Sequence, residues 1–193
     1  MNVLKAGSIG LMLCLMSGCK LANTLTGYTA STLCTKVFLS GLPVPHIMKT
    51  DLVPATQGTV NLVKVNIDYD QKTVEATYSR TAAKAIYRKN LGCTLVGEVS
   101  ESELRHQELP YVPPVYLDPE EAWPHGAAGV SEVSGVNLEK LSKAANALFQ
   151  ERELFKLNTT SVLVAYKGQL VYERYAPEYQ PDTPVPMFSV SKT

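Results

Sequence analysis

Hydrophobic residues recur along the chain with two periodicities, which predict a mixture of helices and antiparallel strands. From Leu21 to Leu39 apolar side chains return every three or four residues, as is typical of a helix, although the repeat is imperfect and changes face near Gly27. From Val63 to Tyr69, and again from Val74 to Tyr78, apolar and polar residues alternate on either side of a short polar turn. The alternation predicts a β-hairpin, and residues 83–96 predict one or two further strands that carry Cys93.

A proline-rich stretch separates these elements from a second group. Residues 109–129 hold five prolines, and because proline fixes φ and lacks a backbone donor, they predict an extended connector. Residues 135–155 then predict a helix with Asn137 as its N-cap, since apolar positions recur on one face. Residues 159–177 predict a second hairpin that turns at Lys167-Gly168.

The first 18 residues predict an export signal. Lys5 precedes an apolar run, Ala6–Ser17, which is too short for the roughly 20 residues that span a bilayer. The run ends in Met16-Ser17-Gly18-Cys19, which resembles a bacterial lipobox, so Cys19 would carry the lipid. The alternative is an ordinary signal with an incidental cysteine. Lys20 in place of an aspartate favours the outer membrane, facing the periplasm.

Charge and cysteine content narrow the class of protein. The chain balances 18 basic against 18 acidic side chains, which argues against a nucleic-acid partner. Cleavage before Cys19 removes Lys5 and no acid, and leaves a net charge of −1. Cys34 and Cys93 then remain as an even pair, and in an exported protein they favour a disulfide over two buried thiols. The three histidines stand apart from the cysteines, so no metal site is predicted.

The final residues, MFSVSKT, contain candidate chemistry. Ser189 and Lys192 have the spacing S-x-x-K, which places both on one face of a helix. A neutral lysine amine can take the proton of the serine hydroxyl, and a backbone N–H in the first turn can form half of an oxyanion hole. The motif alone is weak, because Ser17 and Lys20 match it as well.

The setting of the motif is more specific. The order of helix, hairpin VLVAYKGQLVYERY, proline-rich loop and MFSVSKT resembles the start of the serine β-lactamase-like superfamily, which includes class C β-lactamases, DD-peptidases and 6-aminohexanoate-oligomer hydrolases. FLSG and AIYRKNLGCTLV resemble the extra N-terminal region of some exported members. The resemblance implies that Ser189 is the acylated nucleophile and Lys192 its base partner, with Val190 and Ser191 as spacers. It implies no organic cofactor and no metal.

The other motifs of that superfamily are missing from this sequence. Neither the second element, Tyr-x-Asn/Ser or Ser-x-Asn, nor the third, Lys-Thr-Gly or His-x-Gly, occurs. We therefore expect the N-terminal portion of an exported, lipid-anchored serine hydrolase that cleaves a small-molecule amide or ester. We expect it to be inactive as this chain, because a terminal carboxylate beside Lys192 would favour the charged ammonium.

The predicted fold class is α+β. A signal peptide (1–18) precedes a small α+β unit (19–108), the connector (109–129) and an incomplete β-lactamase-like domain (130–193) with a helix, a hairpin and the start of the nucleophile helix. The sequence does not distinguish among β-lactam, peptide, ester and nylon-oligomer substrates. The alternative function is a non-catalytic lipoprotein that serves as a binding or scaffold module.

Overall fold

The computed structural model describes residues 20–107, 109–110, 118–150 and 158–187. These residues divide into two compact units. The first contains the described residues up to 110 together with 184–187, and the second contains those from 118 to 183. Both units combine helical segments with antiparallel strands, so the protein belongs to the α+β class.

The first unit begins with the helix that the hydrophobic pattern predicts. Helix α1 covers residues 20–34 and continues as a π-helical turn, Thr35–Leu39. Thr26 and Thr29 are fully buried, and each hydroxyl donates to the carbonyl oxygen four residues earlier, at 3.1 Å and 2.7 Å. Since their hydroxyls are satisfied within the helix, both threonines can lie in the core.

A run of short helical turns follows, which the hydrophobic pattern does not predict. It consists of α2 (Val44–Ile47), a π-helical turn (Met48–Leu52), α3 (Val53–Ala55) and a 3-10 turn (Thr59–Leu62). Both α-helical pieces have a proline in their first turn, where a missing N–H costs no intrahelical hydrogen bond. Asp51 accepts a hydrogen bond at 2.6 Å from the largely buried Lys36, which ties these turns to the preceding helix.

Four strands form an antiparallel sheet in the order of the chain. They are β1 (Lys64–Asp68), β2 (Thr73–Tyr78), β3 (Thr81–Arg88) and β4 (Gly92–Val96). The predicted hairpin is β1–β2 and the predicted further strands are β3 and β4, so both predictions are confirmed. One face of the sheet supplies fully buried apolar side chains to the core, among them Val74, Ala76 and Ala85.

A disulfide joins the first helix to this sheet. Cys34, at the end of α1, is bonded to Cys93 in β4, with 6.0 Å between their Cα atoms. This is the pairing expected from the sequence, and the separation suits an unstrained bridge. On the same face of the sheet, the ring of Tyr87 lies 6.3 Å from that of Phe38, measured between centroids.

The last helix of the first unit is short. Helix α4 (Glu101–His106) follows the sheet and buries Leu104. The hydroxyl of Ser100 accepts from the backbone N–H of Glu103 at 3.3 Å, and the Glu103 carboxylate accepts from the backbone N–H of Ser100 at 3.1 Å. This reciprocal capping box has the sequence signature S-x-x-E, which would have located the helix.

The second unit opens with a compact series of turns. The backbone N–H of Ala127 donates to the carbonyl of Asp118 at 2.8 Å, and that of Ala128 to the carbonyl of Glu121 at 2.9 Å. The prediction of an extended connector is therefore wrong for residues 118–128, because the backbone closes on itself. Gly126 lies inside this loop, where an added Cβ would overlap the carbonyl oxygens of Asp118 and Glu121.

The predicted helix of the second unit is α5 (Leu138–Asn146). Its N-cap is Asn137, whose side-chain oxygen accepts from the backbone N–H of Lys140 at 2.9 Å, as predicted. The helix ends earlier than expected, in a 3-10 turn (Ala147–Phe149), because Gln150 already has extended backbone angles. The rest of the predicted helix lies largely in residues 151–157, outside the described part of the chain.

The predicted hairpin follows α5. Strands β5 (Ser161–Tyr166) and β6 (Gln169–Tyr175) pair in antiparallel register, with one irregularity after Val164. The two turn residues, Lys167 and Gly168, both have positive φ, 51° and 76°. Positive φ at both central positions is what a type I′ turn requires, so the tight turn is confirmed.

Candidate functional site

The predicted nucleophile pair, Ser189 and Lys192, lies outside the residues that the structure describes, as does the predicted lipidation site, Cys19. The described chain reaches Met187, two residues before the predicted nucleophile. What the structure provides is therefore the scaffold that precedes SVSKT in the chain. Of the predicted site residues, it describes Cys34 and Cys93, which it brings together.

Helix α5 is held to strand β6 by one asparagine. The side-chain oxygen of Asn146 accepts from the Tyr172 hydroxyl at 3.2 Å and from the Arg174 guanidinium. Arg174 also stacks over the ring of Phe149, with its Cζ 4.1 Å from the ring centroid. These contacts join the last turn of the helix to the middle and end of the strand.

The end of β6 carries a tyrosine whose acidity is altered. Tyr175 donates its hydroxyl hydrogen bond to Glu173. Burial, and then the bond to Glu173, raise the pKa of Tyr175 to about 12. The phenol therefore stays protonated near neutral pH, so it serves there as a hydrogen-bond donor and not as a base.

Hydrogen-bonded turns lead from the hairpin towards SVSKT. The backbone N–H of Ala176 donates to the carbonyl of Thr160, and that of Tyr179 to the carbonyl of Ala176, both at 2.9 Å. Tyr179 is buried, with 4% of its surface exposed. Thr183 closes a further turn through its contacts with Gln180. The loop up to Thr183 is thus anchored to the hairpin.

The first unit contains a cavity of about 500 Å³ at one end of its sheet. Its walls are Tyr87–Asn90, where β3 turns into β4, and Arg105, Gln107 and Leu109 from the end of α4 and the residues beyond it. The described walls therefore carry three cationic side chains and no acidic one. Sequence reasoning missed this site, because it combines a turn with a helix end more than ten residues further along the chain.

A chain of ion pairs lies beside the cavity. Lys84 Nζ is 3.3 Å from a carboxylate oxygen of Glu75 and 3.0 Å from one of Glu101, which Arg105 also contacts at 2.8 Å. The hydrogen bond from Lys84, reinforced by Arg105, holds the pKa of Glu101 below its usual value. The same bond raises the pKa of Lys84. Two acids and two bases alternate, so this network is neutral as a whole.

The described residues contain no cluster of three or more metal-ligating His, Cys, Asp or Glu side chains. Within the same ranges, no helix is long and apolar enough to cross a membrane. Comparisons of the chain with protein-family models, with curated proteins and with solved structures found no match.

Proposed function

We propose that this chain is the N-terminal portion of an exported, lipid-anchored serine hydrolase that cleaves an amide or ester bond through an acyl-serine intermediate. The observation that carries the proposal is the order and packing of the second unit. Helix α5 has an N-cap, and Asn146 in its last turn is hydrogen-bonded to the β5–β6 hairpin. The hairpin has a two-residue turn, and the loop after it leads along the chain to Ser-x-x-Lys. This arrangement is the one expected of the start of a β-lactamase-like domain.

The proposed reaction uses two side chains. The amine of Lys192, when neutral, takes the proton of the Ser189 hydroxyl, and the oxygen attacks the carbonyl carbon of the substrate. The developing oxyanion receives a hydrogen bond from the backbone N–H of Ser189. When the tetrahedral intermediate collapses, the amine or alcohol leaves with the proton that Lys192 took from Ser189, and water then hydrolyses the acyl-serine ester to the free acid and the serine hydroxyl.

A non-catalytic binding module, held in the membrane by Cys19, is the second candidate function. The disulfide-linked sheet of the first unit favours it, because that sheet carries a basic cavity of ligand-binding size. The two functions rest on different residues, Ser189 and Lys192 for the hydrolase and the cavity walls for the binding module, so experiments can separate them.

The hydrolase proposal is tested first at the level of the gene. Sequencing the DNA beyond the codon for Thr193 should reveal an in-frame Tyr-x-Asn or Ser-x-Asn, followed by Lys-Thr-Gly or His-x-Gly. These elements would supply the proton relay and the strand that the motif needs. A stop codon followed by unrelated sequence would leave only the binding module.

The second test is covalent labelling of the protein made from the whole reading frame. A fluorescent fluorophosphonate should label it, and Ser189→Ala should abolish the label. Ser191→Ala is the matched control, since it removes a hydroxyl two residues away and should retain labelling. Labelling that survives in Ser189→Ala, or is lost equally in both variants, would rule out Ser189 as the nucleophile.

A further inference from the structure

We propose that the basic cavity of the first unit binds a phosphate ester, with the phosphate held by Arg88 and Lys89. This site is separate from the proposed acyl-serine chemistry, and its argument does not depend on that chemistry. It rests on the balance of charge around the cavity, on the unused hydrogen-bonding capacity of Arg88 and on the composition of the walls.

Among the described residues, two cations of the cavity have no carboxylate partner. Arg105 is already engaged by Glu101, within the neutral network of ion pairs. Arg88 and Lys89 have no carboxylate within ion-pair distance among the described residues. The described walls therefore present two uncompensated positive charges, which match the charge of a phosphate monoester near neutral pH.

Arg88 has hydrogen-bonding capacity to spare. Within the described ranges its Nη1 donates to two neutral acceptors, the side-chain oxygen of Gln107 at 2.5 Å and the carbonyl of Leu104 at 3.4 Å. Its buried Nε has no hydrogen-bond partner among the described residues. That atom does not face the cavity, but the guanidinium as a whole meets no anionic acceptor among the described residues, and a bound phosphate would supply one.

The remaining walls suit the carrier of the phosphate. A cavity of about 500 Å³ is far larger than a phosphate ion and falls in the range of small-molecule sites. Asn90 and Gln107 offer amide groups to hydroxyls, while Tyr87 and Leu109 provide apolar contact. A phosphorylated polyol fits this combination, whether it is free in solution or forms the headgroup of a phospholipid.

Equilibrium dialysis of the full chain in non-ionic detergent, against radiolabelled glycerol phosphate, tests the proposal. Binding should be saturable, inorganic phosphate should compete, and glycerol should not. Phosphatidic acid, a lipid whose headgroup is a phosphate monoester of glycerol, is added to the micelles to distinguish the two sources of the ligand. If the lipid competes with glycerol phosphate, the ligand is a lipid headgroup. If only soluble phosphate esters compete, the ligand is a free metabolite. Both results support the site, whereas a lack of saturable binding would overturn it.

Two variants locate the binding. Lys89→Gln removes an exposed charge and should weaken binding by about two- to fivefold. Arg88→Gln should weaken it by about tenfold or more, because the charge lost is partly buried. Lys64→Gln is the matched control, since Lys64 is exposed on the edge strand β1, at the other end of the sheet from Arg88.

The pattern among the variants decides the outcome. Lys89 is exposed, so its variant should fold even if Arg88→Gln does not. Weakened binding in Lys89→Gln with unchanged binding in Lys64→Gln supports the cavity. Equal losses in Lys89→Gln and Lys64→Gln would indicate general electrostatic attraction and would overturn the proposal. Unchanged affinity in Lys89→Gln would overturn it as well.

Discussion

Reduction of the disulfide between Cys34 and Cys93 should strongly destabilise the first unit. The bridge links α1 to β4 across 59 residues of chain, and Cys34 is fully buried. Without the bridge, the unfolded chain regains the conformational freedom that the closed loop removes. The folded state keeps most of its contacts after reduction. The free energy of unfolding therefore decreases mainly because the unfolded state gains entropy.

The expected loss follows from the length of the loop. A closed loop of 59 residues contributes about 4.2 kcal/mol at 25 °C in the chain-entropy model. A unit of about 90 residues has a total stability of about 5–13 kcal/mol, so reduction would remove a third or more of it. Amides that exchange only through unfolding of the unit should exchange about a thousandfold faster.

Hydrogen–deuterium exchange of the oxidised and the dithiothreitol-reduced protein measures this change. Peptides that cover β3 and β4 report the first unit, and peptides that cover β5 and β6 report the second. The double variant Cys34→Ala/Cys93→Ala should exchange as the reduced protein does, and should not respond to reductant. If reduction accelerates the β3 and β4 amides by less than about tenfold, or about 1.4 kcal/mol, the loop-entropy reasoning is refuted.

Three other substitutions test separate contacts. Gly126→Ala presses a Cβ against two backbone carbonyls, so it should cost the second unit about 1–3 kcal/mol, measured by urea unfolding followed by tryptophan fluorescence. Asn146→Ala removes the acceptor shared by two side chains of β6 and should lower the free energy of unfolding by about 1–3 kcal/mol in the same assay. Ser142→Ala is the control and should lower it by less, because it loses one hydrogen bond of 3.4 Å. Lys84 lowers the pKa of Glu101, so the carboxylate stabilises the fold above its usual pKa of 4.5 and loses that effect as the pH falls through the lowered value. Wild type and Glu101→Gln should therefore converge in stability on acidification, as measured by hydrogen exchange at β3.

Each prediction has a result that contradicts it. A stable Gly126→Ala protein would mean that the turn can open to admit a methyl group. Equal losses in Asn146→Ala and Ser142→Ala would show that the contacts to β6 contribute little. A stability difference between wild type and Glu101→Gln that persists far below the lowered pKa would assign the effect to packing instead of charge.

The elements that the sequence predicted correctly are those with a local periodic signal. Helix α1, the four-stranded sheet and the β5–β6 hairpin all repeat apolar positions over several residues, and the turn at Lys167-Gly168 has a specific residue requirement. The short helices α2 and α3 have too few residues to show a period. The turns at 118–128 were misread because prolines indicate only that regular structure is interrupted, and do not show how the backbone closes.

The basic cavity could not be predicted for a different reason. Arg88 and Lys89 end one strand, whereas Arg105 and Gln107 belong to the end of α4 or follow it, so their proximity depends on how the helix packs. A capping box predicts that a helix begins, but not where it lies against a sheet. The same limit applies to Cys34 and Cys93, whose pairing was predicted from their number and from the predicted export of the chain, and not from periodicity.

The disulfide and the proposed phosphate site should both stabilise the first unit. Tyr87 lines the cavity and lies opposite Cys93 in the register of β3 and β4, so the bridge holds a strand that forms one wall. A ligand that binds only the folded state at about 100 times its Kd adds about 2.7 kcal/mol. Glycerol phosphate should therefore restore more than half of the about 4.2 kcal/mol that reduction removes.

Hydrogen exchange of the reduced protein provides the measurement. Saturating glycerol phosphate should slow the β3 and β4 amides by about a hundredfold, and Lys89→Gln should need more ligand for the same protection. The β5 and β6 amides serve as the reference, because the cavity belongs to the first unit. Equal protection in both units would show that the ligand acts through the solvent, and unchanged β3 and β4 amides would show that the reduced protein does not bind the ligand.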